Sequence, residues 1–264
     1  MAEMTVLLPP PLEIEQEEDN LYYPESDGKP MAETDLHRDM MFYLIHLLRR
    51  YLAGTKAYVS GNLLIYYEKG NTNRSVAPDC FVVLGVEQRR RNTYRIWQEG
   101  RTPDVVFEVT SKSTRRDDTV KKMRLYAKLG IKEYFLYDPT SDYLDPPLAA
   151  YELAGDGYLP MEPLNEDALT GLIDWPEEDG GLPEYESKVL GVRLVLDEEE
   201  GLCLYNVQTG ERLLTDEEAR IKAEQEKQWA EQERQQAEQR AAAADAENAR
   251  LRAEVERLRG QNQG

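Results

Sequence analysis

Residues 103–113 read PDVVFEVTSKS. Val105, Val106, Phe107 and Val109 make a nearly unbroken apolar run, the pattern of a strand covered on both faces. Strands of that kind belong to layered α/β folds, so this stretch decides the architecture. Glu108 interrupts the run. A carboxylate in such a place costs several kcal/mol unless it is paired, protonated or bound to a metal.

Working outward, VAPDCFVVLG (76–85) is a second short apolar strand, introduced by Pro78-Asp79, and KEYFLYDP (132–139) is a third. Between the last two strands, TVKKMRLYAKLG (119–130) reads as a helix with Val120, Met123 and Ala127 on one stripe and Gly130 as its stop. Apolar strands joined through a helix predict an α/β protein with a mixed sheet flanked by helices, the strands of 77–84, 104–111 and 133–138 being neighbours. Upstream, AETDLHRDMMFYLIHLLRRYLAG (32–54) places Leu36, Met40, Tyr43, Leu44, Leu47, Leu48 and Tyr51 at helical spacing. Thr34 or Asp35 serves as N-cap and Gly54 as the stop. KAYVSGNLLIYYEKGN (56–71) reads as a strand or bent strand pair interrupted at Gly61. From Leu148 to Leu214 short strands with Gly-containing turns predict peripheral β-hairpins, with an acidic linker at 174–186.

The chain has 264 residues and a formal charge of −19, but the charge is uneven. From Gln88 to Lys132 thirteen Lys and Arg stand against five Asp and Glu, a basic middle that suits a polyanion. Within it, the loop RRRNTYR mixes arginines with Tyr94, and Trp97 follows, which would suit phosphate and base contacts. Two cysteines, Cys80 and Cys203, allow neither a disulfide framework nor a four-cysteine zinc site, and fit a cytoplasmic protein. No segment is apolar and long enough to span a bilayer, and the start lacks the basic and apolar regions of a signal peptide.

Three regions result: an acidic, proline-rich arm at 1–30, a domain at 31–214, and an Ala/Glu/Arg-rich helix at 215–264. In that helix Ala223, Ala230, Ala237, Ala244, Leu251 and Leu258 recur every seven residues, with Arg220, Lys227, Arg234, Ala241, Asn248 and Val255 at the matching positions. This predicts a coiled coil over 216–259 and a parallel homodimer, its register fixed by Asn248.

The chemistry sits at the strand starts. Neighbouring strands lie about 5 Å apart, so Asp79 and Glu108 on one face can share a divalent cation. Mg²⁺, or Mn²⁺ in its place, takes oxygen ligands and needs only one or two protein carboxylates. A nearby lysine would assist the attacking water and stabilise charge as a phosphodiester is cleaved.

The ordered set APDCFVV, then PDVVFEVTSKST, then KKMRLYAKLGIKEYFLYDP resembles the Uma2 family of endonucleases, part of the PD-(D/E)XK restriction-endonuclease-like superfamily. The likeness runs over residues 22–214 and includes SDGKPMAETDLHRD, YVSGNLLIYYE and VLGVRL. It implies a restriction-endonuclease-like fold and DNA as substrate, with Asp79 and Glu108 as metal ligands. The motif lysine belongs two residues after Glu108, where this chain has Thr110. Lys122 on the following helix, four residues before Tyr126, is the favoured replacement, and Lys112 is the other. Glu33, His37 and Asp104 are further candidates, as an additional acid, an outer contact or a cap. The other reading is a catalytically silent nuclease-fold module that binds DNA or protein and is dimerised by the tail.

Overall fold

The computed structural model describes residues 21–26, 34–111, 114, 116–165, 182–197 and 201–261. Contacts divide the chain between Thr215 and Asp216 into two units.

The first unit opens on helix α1 (Asp35–Tyr51), whose N-cap Thr34 accepts the backbone N–H of His37 at 3.2 Å. The helix buries His37, Met41, Leu44, Ile45, Leu47 and Leu48. The inward stripe is therefore rotated from the one that apolar spacing predicts: Leu36 faces outward and His37 inward. The reason lies in the sheet beneath, where a carboxylate awaits the imidazole.

Strand β1 (Ala57–Ser60) follows, then β2 (Ile65–Tyr66), β3 (Ser75–Val76), β4 (Cys80–Leu84) and β5 (Tyr94–Arg95). A short helix α2 (Ile96–Glu99) leads to β6 (Val105–Val109). A π-helical turn (Asp117–Lys122) runs into α3 (Met123–Lys128), and β7 (Glu133–Tyr137), β8 (Leu148–Ala154) and β9 (Gly157–Pro160) complete the main sheet. Its order is β1-β4-β6-β7-β8-β9. Only β6 and β7 run parallel, joined by the α3 crossover, and every other neighbouring pair is antiparallel. The three central strands expected from the sequence are thus adjacent. The hairpin expected after residue 148 extends this sheet, because Leu148 and Ala150 turn inward as β8 returns along β7. A separate antiparallel sheet is formed by β10 (Tyr185–Ser187), β11 (Val192–Asp197) and β12 (Gly201–Asn206). The small sheet β3-β2-β5 stands apart from both.

Alternation along the strands splits the core into two layers. Val59, Val82, Val105, Phe107 and Phe135 face α1 and the β10–β12 residues Val192, Leu194 and Leu204. Tyr58, Phe81, Val106, Tyr134 and Leu136 face the other way, against Tyr126 of α3. Glu108 has the parity of Val106 and therefore enters the layer under α3. Of the acidic arm, Leu21–Ser26 are described. Tyr23 is buried against Tyr66 and Trp97, and its hydroxyl accepts the backbone N–H of Gly70 at 2.7 Å.

The second unit is one helix, α4 (Asp216–Gln261). At 1.5 Å per residue its 46 residues extend about 70 Å. Trp229 and Leu251 are exposed on it. Among the described residues, no helix is long and apolar enough to cross a membrane.

Candidate active site

Asp79 lies one residue before β4, opposite Glu108 if the antiparallel register Cys80↔Phe107 is carried one step on. The two residues are laced together. Asp79 Oδ2 accepts the backbone N–H of Val109 at 2.8 Å, and Glu108 Oε2 accepts the backbone N–H of Asp79 at 3.3 Å. Gly61, just after β1, packs closely against the backbone of Asp79, since a Cβ built there would lie 1.9 Å from the Asp79 carbonyl oxygen. His37 reaches the pair from α1, its Nε2 3.3 Å from Asp79 Oδ1.

The turn after β6 brings the cation. Lys122 Nζ donates to Glu108 Oε2 at 2.8 Å, and Tyr126, one turn further on, donates its hydroxyl to Glu108 Oε1 at 2.5 Å. Asp118, which no motif in the sequence singles out, stands 3.0 Å from the same ammonium through Oδ1. Its Oδ2 accepts the hydroxyl of Thr110 at 3.0 Å, and its backbone carbonyl accepts the Tyr134 hydroxyl at 3.0 Å. The one signal for Asp118 is its position four residues before Lys122, the spacing of helical ion pairs. The turn that carries both is π-helical, a conformation concentrated at functional sites.

Burial sets the electrostatics. Glu108 is 0 % exposed, and that desolvation drives its pKa well above the ordinary carboxylate value. Lys122 opposes the rise, while Asp79 and Asp118 add to it. Burial pushes Asp79 the same way, but the His37 bond and the Lys122 charge outweigh it and hold Asp79 low. Lys122 is itself desolvated, yet Glu108 and Asp118 more than compensate and keep it cationic. Tyr126 is raised by burial and then by Glu108, so its hydroxyl stays a donor.

The remaining candidates are placed differently. Asp104 is at the other end of β6, where its carboxylate accepts the backbone N–H of Leu84 at 2.7 Å and pairs with Lys132 at 3.0 Å. It ties the end of β4 and the residue before β7 to the start of β6 and does not join Glu108. Lys112 and Glu33 lie outside the described residues. The arginine-aromatic loop does not form a stacking platform. Tyr94 is buried with its hydroxyl on the Arg101 carbonyl, and Trp97 is buried against Tyr23. Arg91 lies 4.1 Å from the Tyr58 ring centroid and grips Glu99 with two bonds of 2.8 Å. Arg91 is occupied in the fold because Glu99, eight residues on, returns to meet it.

The donor set fits a hard divalent cation. Among the described residues no three His, Cys, Asp or Glu side chains form a complete cage. Mg²⁺ does not require one, because it keeps several waters and is held by one or two carboxylates. Asp79 and Glu108, side by side at the strand ends, would be the two carboxylates available to such an ion.

A mixed sheet flanked by helices, with acids at the ends of adjacent central strands, makes this an α/β protein. The chain belongs to the Uma2 family, whose pattern, described as "Putative restriction endonuclease", matches residues 8–172. Among solved structures it is similar to "a putative nuclease belonging to DUF820 from Anabaena variabilis". Sequence identity is 18 % and the TM-score 0.39, over 54 % of this chain and 81 % of that one. No curated protein matches.

Proposed function

We propose that this protein is a Mg²⁺-dependent DNA endonuclease of the cytoplasm, with Asp79 and Glu108 as metal ligands and Lys122 assisting the attacking water. The observation that carries this reading is the meeting of three side chains from three segments. The carboxylates of adjacent strands are interlocked through backbone N–H groups, and Lys122 stands 2.8 Å from one of them. A bound Mg²⁺ would supply charge neutralisation at the phosphate and a more acidic water. The protein's own groups do the rest. Val109 N–H and His37 fix the Asp79 carboxylate, Tyr126 and Lys122 fix that of Glu108, and the lysine charge faces the position where negative charge develops.

One observation favours the silent-module reading: both Glu108 oxygens already have protein donors. A module without catalysis would keep those bonds and bind DNA or protein through its surface alone. Asp79→Ala and Glu108→Gln separate the two readings. Each is expected to abolish Mg²⁺-dependent nicking of plasmid DNA and to remove Mn²⁺ binding in calorimetry while the protein stays folded. Glu108→Gln is the gentler change, because it keeps an acceptor for Tyr126. A wild-type protein inert on single- and double-stranded DNA with either metal would establish the silent module.

A further inference from the structure

We infer that Asp118 is a positioning residue for Lys122, and that Thr110 acts as its anchor. The inference rests on the nuclease reading above for its kinetic consequence, but not for its geometry.

Lys122 lies between two buried carboxylates, Glu108 Oε2 at 2.8 Å and Asp118 Oδ1 at 3.0 Å, and keeps 23 % exposure of its side chain. A lysine stem is flexible and its ammonium is a point charge, so a single partner would leave its direction loose. Two carboxylates on different elements, one on β6 and one on the π-turn, fix it. Asp118 in turn has little freedom. Its second oxygen is held by the Thr110 hydroxyl, two residues beyond Glu108, and its carbonyl by Tyr134. The chain of contacts therefore runs from the end of β6, through Thr110 and Asp118, back to the ammonium over Glu108. Residues this deeply buried are costly to keep charged unless their partners are well placed, and Asp118 is 1 % exposed. Its ordered role is to share the lysine with Glu108, so that Glu108 does not monopolise the charge and the exposed side of the ammonium can meet a substrate oxygen. Asp118 is not assigned to the metal; its oxygens are directed at Lys122 and Thr110.

The test is a set of variants of the full chain, each checked for folding by circular dichroism: Asp118→Asn, Thr110→Val, Thr110→Ser, Lys122→Ala and the double Asp118→Asn/Lys122→Ala. Cleavage rates, KM for DNA, Mn²⁺ affinity by calorimetry and urea midpoints are measured. Asp118→Asn is expected to lower kcat about 10- to 100-fold, the usual effect of losing an outer partner. KM for DNA and Mn²⁺ affinity should stay within about threefold, since neither substrate nor metal is touched. Thr110→Val should fall in the same direction but less far, and Thr110→Ser should restore the wild-type rate. In the Lys122→Ala background, Asp118→Asn should cost nothing further, because its effect passes through the lysine. A tenfold loss of Mn²⁺ affinity, or losses that multiply in the double variant, would overturn the inference. If Asp118→Asn fails to fold, Thr110→Val carries the test: a rate unchanged from wild type overturns it. If the wild-type protein cleaves nothing, the nuclease reading falls and the urea midpoints decide the positioning. Destabilisation of the double variant smaller than the two singles combined supports it, and simple addition overturns it.

Discussion

Two buried glutamates in this sheet show how differently the same side chain can be held. Glu108 sits among a lysine, a tyrosine and two further acids, with protein donors on both of its oxygens. Glu133, at the start of β7, has no cation at hydrogen-bonding distance among the described residues. Its Oε2 accepts the Ser187 hydroxyl and its Oε1 the backbone N–H of Val189 at 3.0 Å, so it pins the β10 region to the main sheet. Burial raises its pKa, and these hydrogen bonds offset the rise only in part. The folded state therefore holds the Glu133 proton to higher pH than the unfolded chain does. The stability from that proton is complete below the unfolded value of 4.5 and is lost as pH rises through the folded value. Glu133→Gln mimics the protonated acid and cannot lose it. Relative to wild type, the variant should gain stability from pH 4 upward, by at most about 1.4 kcal/mol per pH unit. Urea midpoints measured across pH 4 to 8 check this, and parallel curves for the two proteins would refute it.

At the scale of elements, the end of β1 matters more than its length suggests. Gly61 lets the backbone after β1 pass against the Asp79 carbonyl, with Ile45 of α1 also close. A methyl group at 1.9 Å from a carbonyl oxygen cannot be accommodated by a rotamer change, so backbone must move. Gly61→Ala is expected to destabilise the fold by about 1–3 kcal/mol, the range for overpacking. It should also weaken Mn²⁺ binding, because the displaced segment is the one that carries Asp79. Unfolding curves and calorimetry on one preparation test both effects; a stable variant with unchanged Mn²⁺ affinity would show that the close approach is relieved elsewhere. The same segment shows what a sequence discloses. Glu108 stands out in the sequence because an acid in an apolar strand has no ordinary reason to be there, and Asp79 through the Pro-Asp pair that opens the neighbouring strand; the structure puts the two side by side. Asp118 was not, since DDTVKK looks like any polar helix surface and its partner Thr110 lies eight residues away. His37 was read only as an outer contact, because helical spacing counts apolar residues and passes over an imidazole that turns inward to an acid. The arginine loop is only partly a surface: Glu99 and Tyr58 draw Arg91 into the fold, while Arg89 and Arg90 stay exposed.

At the scale of the whole molecule, α4 poses the question of what a 46-residue helix, most of whose described side chains are exposed, is for. Isolated helices draw most of their stability in proteins from packing an apolar face, and here Ile221, Trp229 and Leu251 are all exposed. Within the helix the described ion pairs are local, such as Arg234 with Glu231. Pairs of that kind contribute only a few tenths of a kcal/mol each. A second copy of the chain, wound along the Ala/Leu seam in parallel with Asn248 fixing the register, would supply the missing surface. Because such a seam would be mostly alanine, its strength would have to come from its last two heptads, where Leu251, Val255 and Leu258 fall in the sequence. Dimerisation would also serve the proposed chemistry. One site cuts one strand, and a coiled coil raises the effective concentration of a second site beside the first. Ending the chain after Thr215 removes α4 at the boundary between the two units. The shortened protein is expected to stay folded, to bind Mn²⁺ as before, and to sediment as a monomer where the full chain sediments as a dimer. Its products should shift from double-strand breaks towards nicks. A shortened protein that still sediments as a dimer would move the pairing surface from α4 to the first unit.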